Sequence, residues 1–232
     1  MREASSHFGV LSVYLITRSS LKAFVRPNRC QNCRLLVDRC MCHELTKITC
    51  EMDIKLLLHS RELARVSNTG IIASRIVDSI TEIHYGTPGY RFKALDVVVP
   101  EKLNLVLHPD AGKSLEEYRE LGVRPSEINL VVPDGNWPQA SNMTRKLVSS
   151  GLFKPVRLEK PVGGRYWLRI DHNHMDGVST LEAIASALEV MGNETAGDAL
   201  RRAFDKFVHE SLLIRGKKAL AQKFFGSSRY MG

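Results

Sequence analysis

The sequence predicts an α/β domain built on a mostly parallel sheet. Short leucine-rich or β-branched runs at residues 54–58, 103–107 and 128–132 have the length of buried strands. Longer stretches with apolar residues at helical spacing separate and follow them. Strands that alternate with helices pair in parallel, because each crossover carries the chain back across the sheet. The runs also end in small, polar or proline residues, and in an open α/β sheet that carboxyl edge is where ligands bind.

Composition sets the outer limits. The 232 residues are 44% hydrophobic, enough for one substantial domain and a small appendage. A net charge of +8 and a pI near 9.4 favour a polyanionic partner, nucleic acid before a membrane surface. No apolar run approaches the roughly 18 residues that span a bilayer. Residues 8–16 are apolar behind a weakly basic start, but no small-residue cleavage site follows. Residues 1–25 therefore read as an N-terminal arm rather than a signal peptide, and a cytoplasmic protein is expected.

Residues 26–50 carry four of the five cysteines. Cys30, Cys33, Cys40 and Cys42 form a C-x2-C pair and a C-x-C pair, the spacing of a closed tetrahedral zinc site. Two disulfides are the alternative, but they suit small secreted domains, and a C-x-C bridge would close a strained ring. A structural Zn²⁺ knuckle is the expectation. Arg26, Arg29, Arg34 and Arg39 surround it and either face RNA or form a solvated face. Cys50 stands outside the pattern.

The first strand ends at His59. Arg61, Arg65 and Asn68 follow among small polar residues, a segment able to offer donors to phosphate, and Ser67 or Asn68 can cap a helix over 71–80. Residues 82–89 read as a plain connection. The second strand ends in Leu107, His108, Pro109 and Gly112, with a short helix at 114–121. The third runs into Pro133, Asp134, Gly135, Asn136 and Trp137, and a helix covers 138–150 with Pro138 where a missing N–H costs little. Taken alone, that loop is either an ordinary turn or a ligand loop. Further short strands are expected at 156–158 and 166–170. Asp171, His172, His174 and Asp176 read as a solvated loop in preference to a second metal site. Ser179 or Thr180 with Glu182 forms a capping-box start for a helix to Met191. A helix at 196–213 precedes a basic tail, 214–232, read as an arm that touches nucleic acid.

Several enzyme classes lack their motifs. There is no G-x-G-x-x-G after the first strand, no G-x4-G-K-[ST] and no G-x-S-x-G. Nucleotide cradles of the Rossmann and P-loop kinds, and an esterase elbow, are thereby excluded.

Taken together, the ordered set resembles a known family. Four cysteines near the N-terminus, His59 to Gly70, Pro133-Asp134-Gly135-Asn136-Trp137 with Gln139-Ala140, and Ser179-Thr180-Leu181-Glu182-Ala183 occur in that order. The chain resembles the DTW-domain family, the tRNA-uridine aminocarboxypropyltransferases, over residues 26–213. The resemblance implies a SPOUT-like α/β domain over 51–213, with a C-terminal trefoil knot. The family usually has Thr where Asn136 stands. Asn keeps a donor and an acceptor, so activity is expected to be retained. Ser60 follows His59 where Pro is common.

The resemblance implies S-adenosylmethionine as co-substrate and tRNA as acceptor, with no membrane partner. The 3-amino-3-carboxypropyl group would pass to N3 of a uridine, leaving methylthioadenosine. Asp134 is expected to act as base or to orient the uracil imide, and Trp137 to stack on the donor or the flipped base. The donor is expected to bind at Leu107, His108, Pro109, Gly112, the loop Pro133 to Trp137, and Ser179, Thr180 and Glu182. Arg61, Arg65 and Asn68 are the expected tRNA or donor contacts. A methyltransferase using the same donor, and a zinc-knuckle RNA-binding module without activity, are the alternatives. Both monomer and homodimer stay open.

Overall fold

A computed structural model describes residues 28–159 and 178–225. Five strands form one sheet: β1 (Asp53–His59), β2 (Ile80–Tyr85), β3 (Leu103–Leu107), β4 (Ile128–Asp134) and β5 (Lys154–Val156). Their order is β2-β1-β4-β3-β5 and every pairing is parallel. Six helices accompany them among the described residues: α1 (Gly70–Ile76), α2 (Leu115–Glu120), α3 (Trp137–Val148), α4 (Thr180–Val190), α5 (Glu194–Ile214) and α6 (Lys218–Phe225). The expected mostly parallel α/β architecture is what the chain forms.

A parallel sheet must be covered on both faces, so its central strands are apolar on both sides. Strand β4 is buried along nearly its whole length. Ile54, Leu56, Leu130 and Val132 point to one face, under α1, α4 and α5, and join the larger core. Leu57, Val106 and Val131 point to the other, where Met143 and Leu147 of α3 meet Phe92 and Phe153.

The connectivity fixes where a ligand can sit. The chain leaves β1 toward β2 on one side and leaves β4 toward β5 on the other. The chain therefore heads in opposite directions after β1 and β4, and the carboxyl ends of these two strands form the switch point at which open α/β sheets bind ligands. Leu58 pairs with Asp134 in register at that point.

Several elements differ from the sequence expectation. Helix α1 ends at Ile76, and Ile80–Tyr85 is an edge strand, not the end of a helix and a plain connection. Apolar and polar residues do not alternate cleanly over Ile80–Tyr85, since Thr81 and Glu82 are adjacent, and the half-buried, mixed character of an edge strand hides the strand signal. Strand β5 lies two residues earlier than expected. Within the stretch read as a basic arm, α6 is helical, with Ala221 buried and Phe225 edge-on to His209 of α5 at 5.8 Å. The expected strand at 166–170, the Asp171–Asp176 loop and the N-terminal arm lie outside the described residues. So does the connection 160–177 from β5 to α4, and with it the expected trefoil knot.

The cysteine-rich segment shares the main core. Cys33, Leu35 and Met41 are buried within it. Arg39 pairs with Glu210 at 2.8 Å, and Lys206 pairs with Glu44, so α5 carries the segment's outer side. Isolated bridges join Arg29 to Leu36 and Ile48 to Val77.

Candidate functional site

Strand β4 delivers Asp134 to the carboxyl edge of the sheet at 1% exposure. A buried carboxylate is costly without partners. Its Oδ2 accepts from the Asn68 amide at 2.7 Å, and its Oδ1 accepts from the Thr180 hydroxyl at 2.7 Å. Both bonds have the short length of charge-assisted contacts. One side chain thereby ties the loop after β1 and the first turn of α4 to the end of β4.

The tied loops are built to receive it. Asn68 is 1% exposed, and its Oδ1 accepts from the Ile71 N–H at 3.1 Å, capping the start of α1. Thr69 Oγ1 accepts from the Leu181 N–H at 3.4 Å. Ser179 caps α4: its Oγ accepts from the Glu182 N–H at 3.2 Å, and Glu182 Oε2 accepts from the Ser179 N–H at 2.7 Å. Gly70 is required by space. A Cβ there would lie 2.9 Å from Asp134 Oδ2 and 3.0 Å from a Leu56 methyl.

Beyond Asp134 the chain turns outward. Gly135 passes so close to α3 that a Cβ would meet Gln139 Cβ at 2.9 Å. Asn136 is the N-cap of α3: its Oδ1 accepts from the Gln139 N–H at 3.0 Å, and Gln139 Oε1 accepts from the Asn136 N–H at 2.8 Å. Asn is at least as good a cap as Thr, so the unusual residue keeps this loop intact. Trp137 opens the helix and is 59% exposed. Its ring centroid lies 5.6 Å from that of His108, tilted by 39°. His108 is anchored at the end of β3: its N–H donates to Val156 O at 2.8 Å, and its Nδ1 accepts from the Asp110 N–H at 3.3 Å.

The edge thus has a buried polar clamp, Asp134 with Asn68 and Thr180, and an exposed ring pair, Trp137 with His108. The structure brings together residues from four separate stretches of the sequence. Leu107 is half-buried, and Pro109 and Gly112 are exposed beside it. Arg61 and Arg65 are exposed on the loop after β1, with Arg65 Nε 3.2 Å from Glu62 Oε1. Asn68 corrects the sequence reading: it faces Asp134, not solvent, because its amide is consumed by the clamp and the helix cap. Ser179, Thr180 and Glu182 are likewise buried and bonded within the protein. The sequence reading places Thr69 and Gly70 in the His59 to Gly70 motif but gives neither a role; the structure supplies one for each.

The four cysteines form a second centre. All five cysteines of the chain are free. The Sγ atoms of Cys30, Cys33, Cys40 and Cys42 all lie within 4.8 Å of one another. Cys30 and Cys42 are 3.6 Å apart, and Cys33 and Cys40 are 3.9 Å apart. Zn–S bonds of about 2.3 Å in a tetrahedron set sulfur atoms about 3.8 Å apart, so the donor set fits Zn²⁺. Burial pushes the Cys33 thiol up to about 11 and the Cys42 thiol higher. At Cys30 burial acts in the same sense, but backbone donors from Cys33 and Asn32 outweigh it and bring the thiol down to about 7. Only a bound cation makes all four thiolates together. Arg34 sits at φ 64° and closes the first turn by donating its N–H to Cys30 O at 3.0 Å.

The fold and its edge define an α/β domain with a clamped switch point in a parallel sheet and a four-cysteine centre. The model of the DTW domain matches residues 27–212, and the chain belongs to that family. Among solved structures, the chain is similar to the SAM-dependent rRNA:acp-transferase Tsr3 from Vulcanisaeta distributa. Identity is 19%, the TM-score is 0.45, and the match covers 75% of this chain and 84% of that one. Among the described residues, no helix is long and apolar enough to cross a membrane.

Proposed function

We propose that this chain transfers the 3-amino-3-carboxypropyl group of S-adenosylmethionine to N3 of a uridine in tRNA, releasing methylthioadenosine. The observation that carries the reading is the joining of Asp134 to Asn68 and Thr180 beside the exposed Trp137–His108 pair, in a DTW-domain chain.

The reaction forms an N3–Cγ bond and breaks the Cγ–S bond of the donor. The electron pair stays on sulfur, which leaves as a neutral thioether, and the N3 proton departs to a base. The protein must aim the γ-carbon, in place of the methyl, at N3. Such positioning is a large source of rate.

In this reading Leu107, His108, Pro109 and Gly112, with the backbone of Pro133 to Asn136, hold the donor. Ser179, Thr180 and Glu182 fix the end of α4 against that loop. Asp134 is a positioning residue, because its two oxygens already bind Asn68 and Thr180 and its exposure is 1%. Trp137 stacks on the target uracil or the donor's adenine, an interaction worth about 1–3 kcal/mol for a base. Arg61 and Arg65 contact phosphates. The four cysteines hold a structural Zn²⁺ that takes no part in the chemistry, since four thiolates close its coordination.

The test is incubation with tRNA and S-adenosylmethionine labelled separately in the methyl group and in the amino-acid arm. Label from the arm in tRNA is expected. Methyl label in the RNA would instead make the protein a methyltransferase. No transfer and no donor binding would leave an RNA-binding module.

A further inference from the structure

Beside the end of β2 lies an open cavity of about 470 Å³, lined by Tyr85, Tyr90, Arg91, Phe92 and Lys146 around the turn from Gly86 to Gly89. Both glycines sit at positive φ, 75° and 79°, and so fold the chain back over the strand end. Phe92 and Tyr85 make the floor, edge-to-face at 5.1 Å. Lys146 Nζ lies 5.3 Å from each of their ring centroids. Tyr90 stands at the rim and is 43% exposed.

We propose that this cavity is a stacking subsite for an unpaired nucleotide that flanks the target uridine, with Tyr90 as the platform and Arg91 and Lys146 as the phosphate contacts. The inference rests on the reading that the substrate is RNA. Its chemistry is the combination at hand: an exposed aromatic ring and two cations, with Asp96 held on the Tyr90 hydroxyl. Flat rings with cations are how proteins hold single-stranded nucleic acid without reading its sequence. The volume is that of a site for one small group.

Position agrees with chemistry. The Ser60 hydroxyl donates to Gly86 O at 2.9 Å, and the His59 and Tyr85 rings are 6.0 Å apart, so the cavity adjoins the end of β1. Strand β1 in turn lies against β4, with Leu58 opposite Asp134. Two strand spacings, about 10 Å, separate the end of β2 from the end of β4. A single strand with its target base at Trp137 therefore crosses the exposed Arg61 and reaches Tyr90. The Tyr90 hydroxyl bonds to Asp96, which steadies the ring and keeps it a neutral phenol.

The test uses the full chain and a fluorescent single-stranded oligouridine, with affinity read by anisotropy over a salt series. Tyr90→Ala is expected to weaken binding about fivefold to a hundredfold, the range of one lost base stack. Tyr90→Phe should stay within about twofold, since the ring face is kept. Arg91→Ala and Lys146→Ala should each lower the slope of log affinity against log salt by about 0.7. Should Tyr90→Ala fail to fold, these two slopes decide the matter alone. Unchanged affinity in Tyr90→Ala, or unchanged slopes in the two cation variants, would overturn the subsite even if the wild type transfers label to RNA. Weakened oligouridine binding in a wild-type background that transfers no label would keep the subsite and overturn the transferase reading.

Discussion

The Thr180 hydroxyl donates to Asp134 Oδ1 at 2.7 Å, joining the start of α4 to the end of β4 across 46 positions of sequence. The other carboxylate oxygen holds Asn68, 66 positions away in the opposite direction. The Asp134 carboxylate therefore ties the edge together. Removing it strands two buried donors, each worth about 1–3 kcal/mol when left unsatisfied. Asp134→Ala should lower the urea midpoint and abolish transfer of the amino-acid arm. Asp134→Asn keeps the shape and should fold close to wild type. Full transfer in Asp134→Asn would mean that the negative charge is dispensable; transfer lost with folding and donor affinity retained would mean that it acts on the substrates directly.

Trp137 separates stability from function. It is 59% exposed at the first turn of α3, and the cap beneath it is made by Asn136 and Gln139. Trp137→Ala should shift stability by no more than about 0.5 kcal/mol, as surface changes do. Transfer should fall by about fivefold to a hundredfold, as loss of a base stack gives. Asn136→Ala should do the reverse in kind, costing about 1 kcal/mol through the lost cap. Thermal melts and the labelled-arm assay on both variants check the pair, and an active Trp137→Ala would remove the indole from the site.

Much of this edge was legible in the sequence, and the reason is local. Strand ends announce themselves by proline and small polar residues, and Ser179 with Glu182 is a capping pattern three residues long. Leu103–Leu107 was bounded correctly because an apolar run meets polar residues at both ends. What was not legible depends on contacts between distant segments. Asn68 and Thr180 look like exposed loop donors until Asp134 is placed between them. Strand β2 is hidden because an edge strand has one partner and a mixed pattern, so Tyr85 reads as part of a plain connection, and Tyr90 and Arg91 carry no sequence signal of a site.

The cysteine centre should behave as part of the core. Cys33 is fully buried among residues that also pack α5. Chelation of the expected Zn²⁺ should therefore lower the melting temperature of the whole domain and leave no separate transition for the knuckle. Elemental analysis should give one zinc per chain, and Cys33→Ser should lose it. Retention of the full melting temperature after metal removal would show that the cysteines close on themselves.

Acid should weaken the fold through two histidines. His59 and His84 both ionise below the ordinary 6.5, first because they are partly buried; Arg61 adds to this at His59, and Glu82 opposes it at His84. Between 6.5 and the lower folded values, the unfolded chain binds protons that the folded chain refuses. Their contribution to stability is therefore complete above about pH 6.5 and is lost as pH falls toward the folded values. Melts of metal-loaded protein across this window should show a decline that is smaller in His84→Gln. An equal decline in that variant would assign it to other groups.

Gly70 offers the sharpest test of the clamp, because two known effects oppose each other there. Alanine is the better helix former by about 1 kcal/mol, and Gly70 opens α1, so propensity alone makes Gly70→Ala stabilising. Against this, the new methyl would lie 2.9 Å from Asp134 Oδ2 and 3.0 and 3.2 Å from the two methyls of Leu56. Leu56 is fully buried in β1, and Asp134 is held by two short bonds, so neither can swing aside freely. Overpacking of this kind costs about 1–3 kcal/mol. The steric effect should win: Gly70→Ala should lose about 1 kcal/mol net and displace the carboxylate, with transfer reduced more than donor binding. Urea denaturation and the labelled-arm assay read the two effects separately. A more stable variant with undiminished transfer would show that Asp134 does not need its present place.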